Sequence, residues 1–432
     1  MAVLAFFGSA LECPKGLAAP PEQQAISSKS SIYDADPEHL WNRLHRAFWV
    51  RTGPDGKEYG HDRLDPYLWR ETKHLLEGDS HQQAIAVLDE FLTAHGENLV
   101  KDPLKRAVLQ RDLWTVFDWS TESLDKRHGA TSRALQSRLA TIIQRLALTP
   151  EQIKEIPENY AAAVKFKAFA QTHDPDHPEQ PFLPPYLLQK DGPWVELLID
   201  NNSAVTASRH VLDFGARSAF RVFLRLPEGR KATLEYMARL NNFPQPWLPG
   251  ENPARGRELL RLNPELPQFP AGTQVALVRQ MLLIDKDGEL AATGITETVQ
   301  LRVFGKIDAQ YPYEFSLSRV SLFAGKSGGL RPLEPDEKDL RTQLLVSGYD
   351  EFELPDNGDF SRKMRVTMQS CRGCHERTGI FAIPSYIGGT YPRPQYHLPL
   401  LGAGYGDEQG RLSAQKKREQ YSWGLLRGLW ED

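Results

Sequence analysis

The sequence predicts an α+β protein of more than one domain, and three patterns along the chain carry that prediction. Helix-start signals and apolar stripes at helical period fill residues 36–175. Alternating apolar and polar residues, with a turn dipeptide between two long runs, fill 190–325 and predict a central antiparallel β domain. From 326 to 432 both periodicities fade into a loop-rich C-terminal segment that closes with a helix. A chain of 432 residues is also longer than one ordinary hydrophobic core supports.

Taken in order, residues 1–35 read as a leader and linker. Ala2 to Leu11 is an apolar run of the length of a signal core, with Ala18, Ala19, Pro20 and Pro21 beyond it, although no Lys or Arg precedes the run. Residues 20–35 are rich in Pro, Ser and Gln, as linkers are. In the helical part, Asp36-Pro37, Asp102-Pro103 and Thr149-Pro150 each place a capping residue before a proline. Proline suits the first helical position because its missing N–H would be unpaired anyway. Thr149 with Gln152, and Ser80 with Gln83, have the spacing of capping boxes. Leu135, Leu139, Ile142, Ile143 and Leu146 form one apolar stripe.

The proline-rich stretch 171–190 predicts a boundary. Beyond it, 194–199 and 219–226 read as strands and 230–242 as a helix. Residues 274–284 and 289–304 read as a hairpin turning at Asp287-Gly288. Val299, Leu301 and Val303 alternate with Thr298, Gln300 and Arg302, as do Tyr313, Phe315 and Leu317 with their neighbours. A sandwich or barrel is the expected arrangement. In the last segment, a short helix over 335–345 and a single helix over 413–430 are expected, the latter docking through its aromatic end.

Composition narrows the function classes. A formal net charge of -4 argues against nucleic acid as a partner, which calls for a basic face, and against a polybasic membrane patch. No apolar run reaches the length of a transmembrane span. Gly325-Lys326-Ser327-Gly328-Gly329 lacks the helix of a nucleophile elbow and the first glycine of a phosphate loop, so a glycine-rich turn is expected. Asp285-Lys286-Asp287-Gly288 lacks the closing glutamate of a calcium loop and reads as a hairpin turn. His173 and His177 stand in a proline-rich stretch and read as loop residues.

One chemical motif stands out. Two of the three cysteines occur in Cys371-Arg372-Gly373-Cys374-His375. Thiols three positions apart can each add to one vinyl group of a porphyrin, and the adjoining imidazole can ligate its iron. Those five residues resemble the haem-attachment site of c-type cytochromes. The resemblance implies one covalent haem c held by Cys371 and Cys374, with His375 as proximal ligand, in an extracytoplasmic (periplasmic or secreted) protein that serves electron transfer or haem sensing with a redox partner not named by the sequence. Thr367 stands where small cytochromes c carry an aromatic residue, and no methionine follows His375. The sixth position is therefore open to His397, to Met364, or to no protein ligand. The alternative is a secreted non-enzymatic binding or structural protein. In that case Cys371 and Cys374 form a disulfide, a redox pair or part of a metal site.

Overall fold

The computed structural model describes residues 31–52, 56, 58–62, 74–122, 129–199, 206–249, 260–305, 310–333, 338–339, 352, 365–366, 379–382, 401–403 and 407–431. The chain is mixed α and β, as its two periodicities predict. Helices α1 (Leu40–Trp49), α2 (Gly78–Thr93), α3 (Pro103–Glu122) and α4 (Gly129–Leu146) come first, with the short pair β1 (Val50–Thr52) and β2 (Glu58–Gly60) after α1. Two short helices follow, α5 (Pro150–Lys154) and α6 (Asn159–Lys165). Thr149 and Gln152 form the capping box on α5, and Asp102 Oδ1 accepts from Leu104 N at 2.8 Å at the start of α3.

Local signals misplace three other features. Asp36-Pro37 makes a turn instead of a helix start, and α1 begins at Leu40 with the His39 side chain accepting from Trp41 N. Ser80 lies inside the first turn of α2, its hydroxyl accepting from Leu75 N, so it forms no capping box. Residues 31–35 are no linker: Ile32 and Tyr33 are buried among the helices. Their apolar side chains outweigh the polar composition around them.

The sheet has seven strands, all antiparallel. It is built from β3 (Val195–Ile199), β4 (Ser218–Arg225), β7 (Thr273–Ile284), β8 (Leu290–Phe304), β9 (Gln310–Leu317), β10 (Leu330–Pro332) and β13 (Leu401–Ala403), in the order β10-β9-β8-β7-β4-β3-β13. Among the described residues this is one open sheet, in place of the expected sandwich or barrel. Side pairs are β5 (Trp247–Pro249) with β6 (Leu260–Leu262), and β11 (Lys338–Asp339) with β12 (Arg365–Val366). The strand at 338–339 replaces part of the helix expected over 335–345. Helices α7 (Ser208–Asp213), α8 (Arg230–Asn241) and α9 (Arg319–Phe323) punctuate the strands. The hairpin turn lies where Asp287-Gly288 predicts it, with Gly288 at positive φ and Asp285 Oδ1 accepting from Asp287 N and Glu289 N.

Both faces of the sheet are covered. Phe223, Val278, Val299, Leu301 and Phe315 pack on one side with Ala107 and Val108 of α3 and Tyr160 of α6. Phe182, Leu183 and Leu187 join them, so the proline-rich stretch is part of the core. Phe220, Val222 and Leu224 face the other side, against Tyr236, Met237 and Leu240 of α8. A third cluster holds the N-terminal helices, and Leu282 and Ile284 at the hairpin end reach into it. Helix α3 is the hub, buried at every position from Ala107 to Asp118. The expected single C-terminal helix is two, α10 (Glu408–Arg418) and α11 (Tyr421–Glu431). They dock as expected: Leu412 enters the α8 cluster, and Trp423 and Leu426 enter the helical one.

Candidate functional site

Cys371, Cys374, His375 and His397 lie outside the described residues, as do Met364, Ile383, Tyr386 and Ile387. What the structure describes is where the chain is held on either side. Residues 365–366 pair with 338–339. At the turn Gly379–Ala382, Ile380 and Ala382 are buried in the α8 cluster, and Ile380 N donates to Gln268 Oε1 at 3.2 Å. Phe381 is half-buried against that same cluster. Further on, β13 pairs with β3 from Leu401. His375 thus precedes a held position by four residues (379 − 375), and so does His397 (401 − 397). Four extended residues span at most about 14 Å.

The histidines among the described residues do not gather into a ligand set. His173 Nδ1 lies 3.0 Å from the Tyr313 hydroxyl, which donates its own proton to Pro178 O at 2.7 Å. The exposed His177 pairs through Nδ1 with Asp174 at 3.0 Å, and that carboxylate raises its pKa. No group of three or more His, Cys, Asp or Glu side chains suited to a metal occurs among the described residues.

The densest chemistry in the described structure is a buried ionic network that sequence reading missed. Its centre is α3. Asp118 Oδ2 accepts from Arg217 Nη1 at 2.5 Å and from Lys417 Nζ at 2.5 Å. Two helical turns earlier, Arg111 Nη2 donates to Ser218 Oγ at 3.1 Å and lies 3.3 Å from Glu297 Oε1. Glu297 Oε2 accepts from Ser218 Oγ at 2.5 Å and from Arg279 Nε at 2.7 Å. On the neighbouring face, Asp112 accepts from Arg319 and from the Tyr33 hydroxyl. All these side chains are buried.

A β-bulge places the carboxylate at 297. Strand register runs Arg279 with Thr298 and Gln280 with Thr296, so Glu297 is the extra residue and leaves the strict alternation. The Asn159 amide satisfies the backbone there, accepting from Thr296 N at 2.6 Å and donating to Thr296 O at 3.0 Å. The signal that was present in the sequence is three charges, Arg111, Asp112 and Asp118, in the stretch 107–118 that is otherwise apolar but for Gln110 and Thr115.

Burial sets the titration of this interior. It lowers the Lys417 pKa to about 8; Asp118 opposes the shift, while Arg217 and Arg111 add to it. Burial would lower the Arg319 pKa too, but Asp112 and Tyr33 outweigh it and hold the guanidinium above its ordinary value. Burial also lowers the His45 pKa well below its ordinary value, helped by the nearby Arg319 and His61. With every member buried, the network is suited to holding elements together.

Comparison with family models, with curated proteins and with solved structures returned no significant match. No helix among the described residues is long and apolar enough to cross a membrane.

Proposed function

We propose that this chain is an extracytoplasmic c-type haem protein. Cys371 and Cys374 carry one haem through thioether bonds and His375 ligates its iron; the role is one-electron transfer or haem sensing. The observation that carries this is the contiguous Cys-x-x-Cys-His pattern in a chain with three cysteines. The donor chemistry fits: two thiols for two vinyl groups, and one imidazole beside the second.

The chain is held at Gly379–Ala382, four residues beyond His375. His397, four residues before the strand at Leu401–Ala403, is a candidate for the second axial ligand, with Met364 or no protein ligand as the alternatives. When bound, haem supplies a one-electron iron couple. The protein's part is to fix the ring through the two cysteines, to fill the axial positions and to exclude water with apolar side chains.

The test is covalent retention. The protein is expressed with a secretion leader and c-type maturation machinery, then denatured and separated. Haem that travels with the chain, and is lost in Cys371→Ser/Cys374→Ser, is the expected result. A colourless product, under conditions that mature a control cytochrome, would reject the proposal. A count of free thiols would then show whether the pair is a disulfide.

A further inference from the structure

Lys417 is the most unusual side chain among the described residues. It is a fully buried lysine on α10, near the chain's C-terminal end. Its ammonium lies 2.5 Å from Asp118 Oδ2, 3.0 Å from Gln420 Oε1, 3.0 Å from Ser422 Oγ and 5.3 Å from the Trp114 ring centre. Arg217, immediately before β4, shares the same Asp118 oxygen, and Arg111 stands two turns away on α3 with Glu297 and Arg279 beyond it. Lys417 is therefore a second cation on a carboxylate that already has one.

The two helices around it span the fold. Leu412 packs with α8 and the sheet, Gln409 donates to Thr206 Oγ1 at 3.1 Å, and Trp423 and Leu426 pack against α3 and α4. Releasing α10 and α11 would return Lys417 to water and leave Asp118 paired with Arg217.

We propose that α10 and α11 form a proton-linked strap, which closes most tightly when the Lys417 amine is neutral and loosens when it is protonated. This inference goes beyond haem attachment and does not depend on it. The direction follows from linkage. An amine that titrates near 8 when docked and near its ordinary 10.5 when released holds fewer protons docked over that window. Docking is therefore favoured as pH rises. The Asp118–Arg217 pair keeps Asp118 partnered once Lys417 is neutral.

Hydrogen exchange of the whole protein tests this. Protection of the 407–431 peptides, normalised to intrinsic exchange, should rise about 30-fold between about pH 7 and 9.5 relative to peptides of β7 and β8. In Lys417→Met the rise should vanish, and protection at about pH 7 should match or exceed that of the parent protein. A strap whose protection falls or stays flat with pH overturns the proposal. So does an unchanged rise in the variant. If Lys417→Met does not fold, Lys417→Gln serves, and the 15Nζ resonance of Lys417 reads the amine directly. An ammonium in the folded protein that persists beyond about pH 10 overturns the proposal as well.

Discussion

Arg319 and Asp112 lie 207 positions apart in sequence and meet through two parallel hydrogen bonds, Nη2 to Oδ1 at 2.6 Å and Nε to Oδ2 at 3.0 Å, with both side chains out of reach of solvent. The guanidinium also donates to His61 O at 3.1 Å and lies 4.8 Å from the Trp49 ring centre. Arg319 opens α9 directly after β9, so this pair ties the sheet to the helical part.

Taking two charges out of water offsets much of their mutual attraction, so the intact pair adds little net stability. Breaking it is another matter, because one charge is then left buried and unpaired. Arg319→Leu or Asp112→Leu alone should lower unfolding free energy by about 3–5 kcal/mol, while the double variant should lose less than the sum. Urea unfolding of the four proteins in the cycle measures this. Additive losses would show that the two side chains are not coupled.

Buried histidines make the fold sensitive to acid. Burial lowers the pKa of His45 well below its ordinary value, and burial with Arg51 lowers that of His74 to about 3. An unfolded histidine takes up a proton near pH 6.5, whereas these stay neutral in the folded chain. Their contribution is thus present above about pH 6.5 and is lost as pH falls below it, for His74 toward about 3 at up to roughly 1.4 kcal/mol per pH unit. Urea midpoints at about pH 7, 6 and 5 should fall in step. His45→Leu should flatten the fall, and an unaltered slope would remove His45 from the explanation.

The glycine-rich turn separates backbone strain from collision. Gly325 and Gly328 both have φ near the left-handed region, 65° and 60°. A Cβ at Gly325 meets nothing within 4 Å. One at Gly328 collides with Asn159 O and comes within 2.9 Å of Ala163 N. Asn159 is the residue whose amide satisfies the Glu297 bulge, so a shift of α6 would reach the ionic network. Gly325→Ala should cost about 1 kcal/mol, the left-handed penalty alone. Gly328→Ala should cost clearly more, at least about 2 kcal/mol. Equal losses in chemical denaturation would show that the approach to α6 is loose.

What the sequence made legible is local. The Thr149 capping box, the Asp287-Gly288 turn and the alternation of Val299, Leu301 and Val303 each depend on neighbours a few positions away. The break between α10 and α11 escaped notice because the two residues at it, Glu419 and Gln420, are good helix formers and no glycine or proline marks it. The ionic network was invisible for a different reason. Lys417 meets Asp118 across 299 positions, and the bulge that turns Glu297 inward is set by strand register, which no short window records. The pattern at Cys371–His375 is legible because its residues are contiguous.

Under the haem proposal, the two histidines should separate by chemistry. Each precedes a held position by the same four residues, His375 before Gly379 and His397 before Leu401, so both have a similar reach. Only His375 adjoins the attaching cysteines, so its place next to iron is fixed by covalent connection. His397→Ala should therefore leave covalent haem intact and convert a low-spin optical and electron-paramagnetic spectrum to high spin. His375→Ala should disturb axial ligation even where the thioether bonds form. A low-spin spectrum that survives His397→Ala would assign the sixth position to another side chain, and Met364→Ala would be the next variant to record.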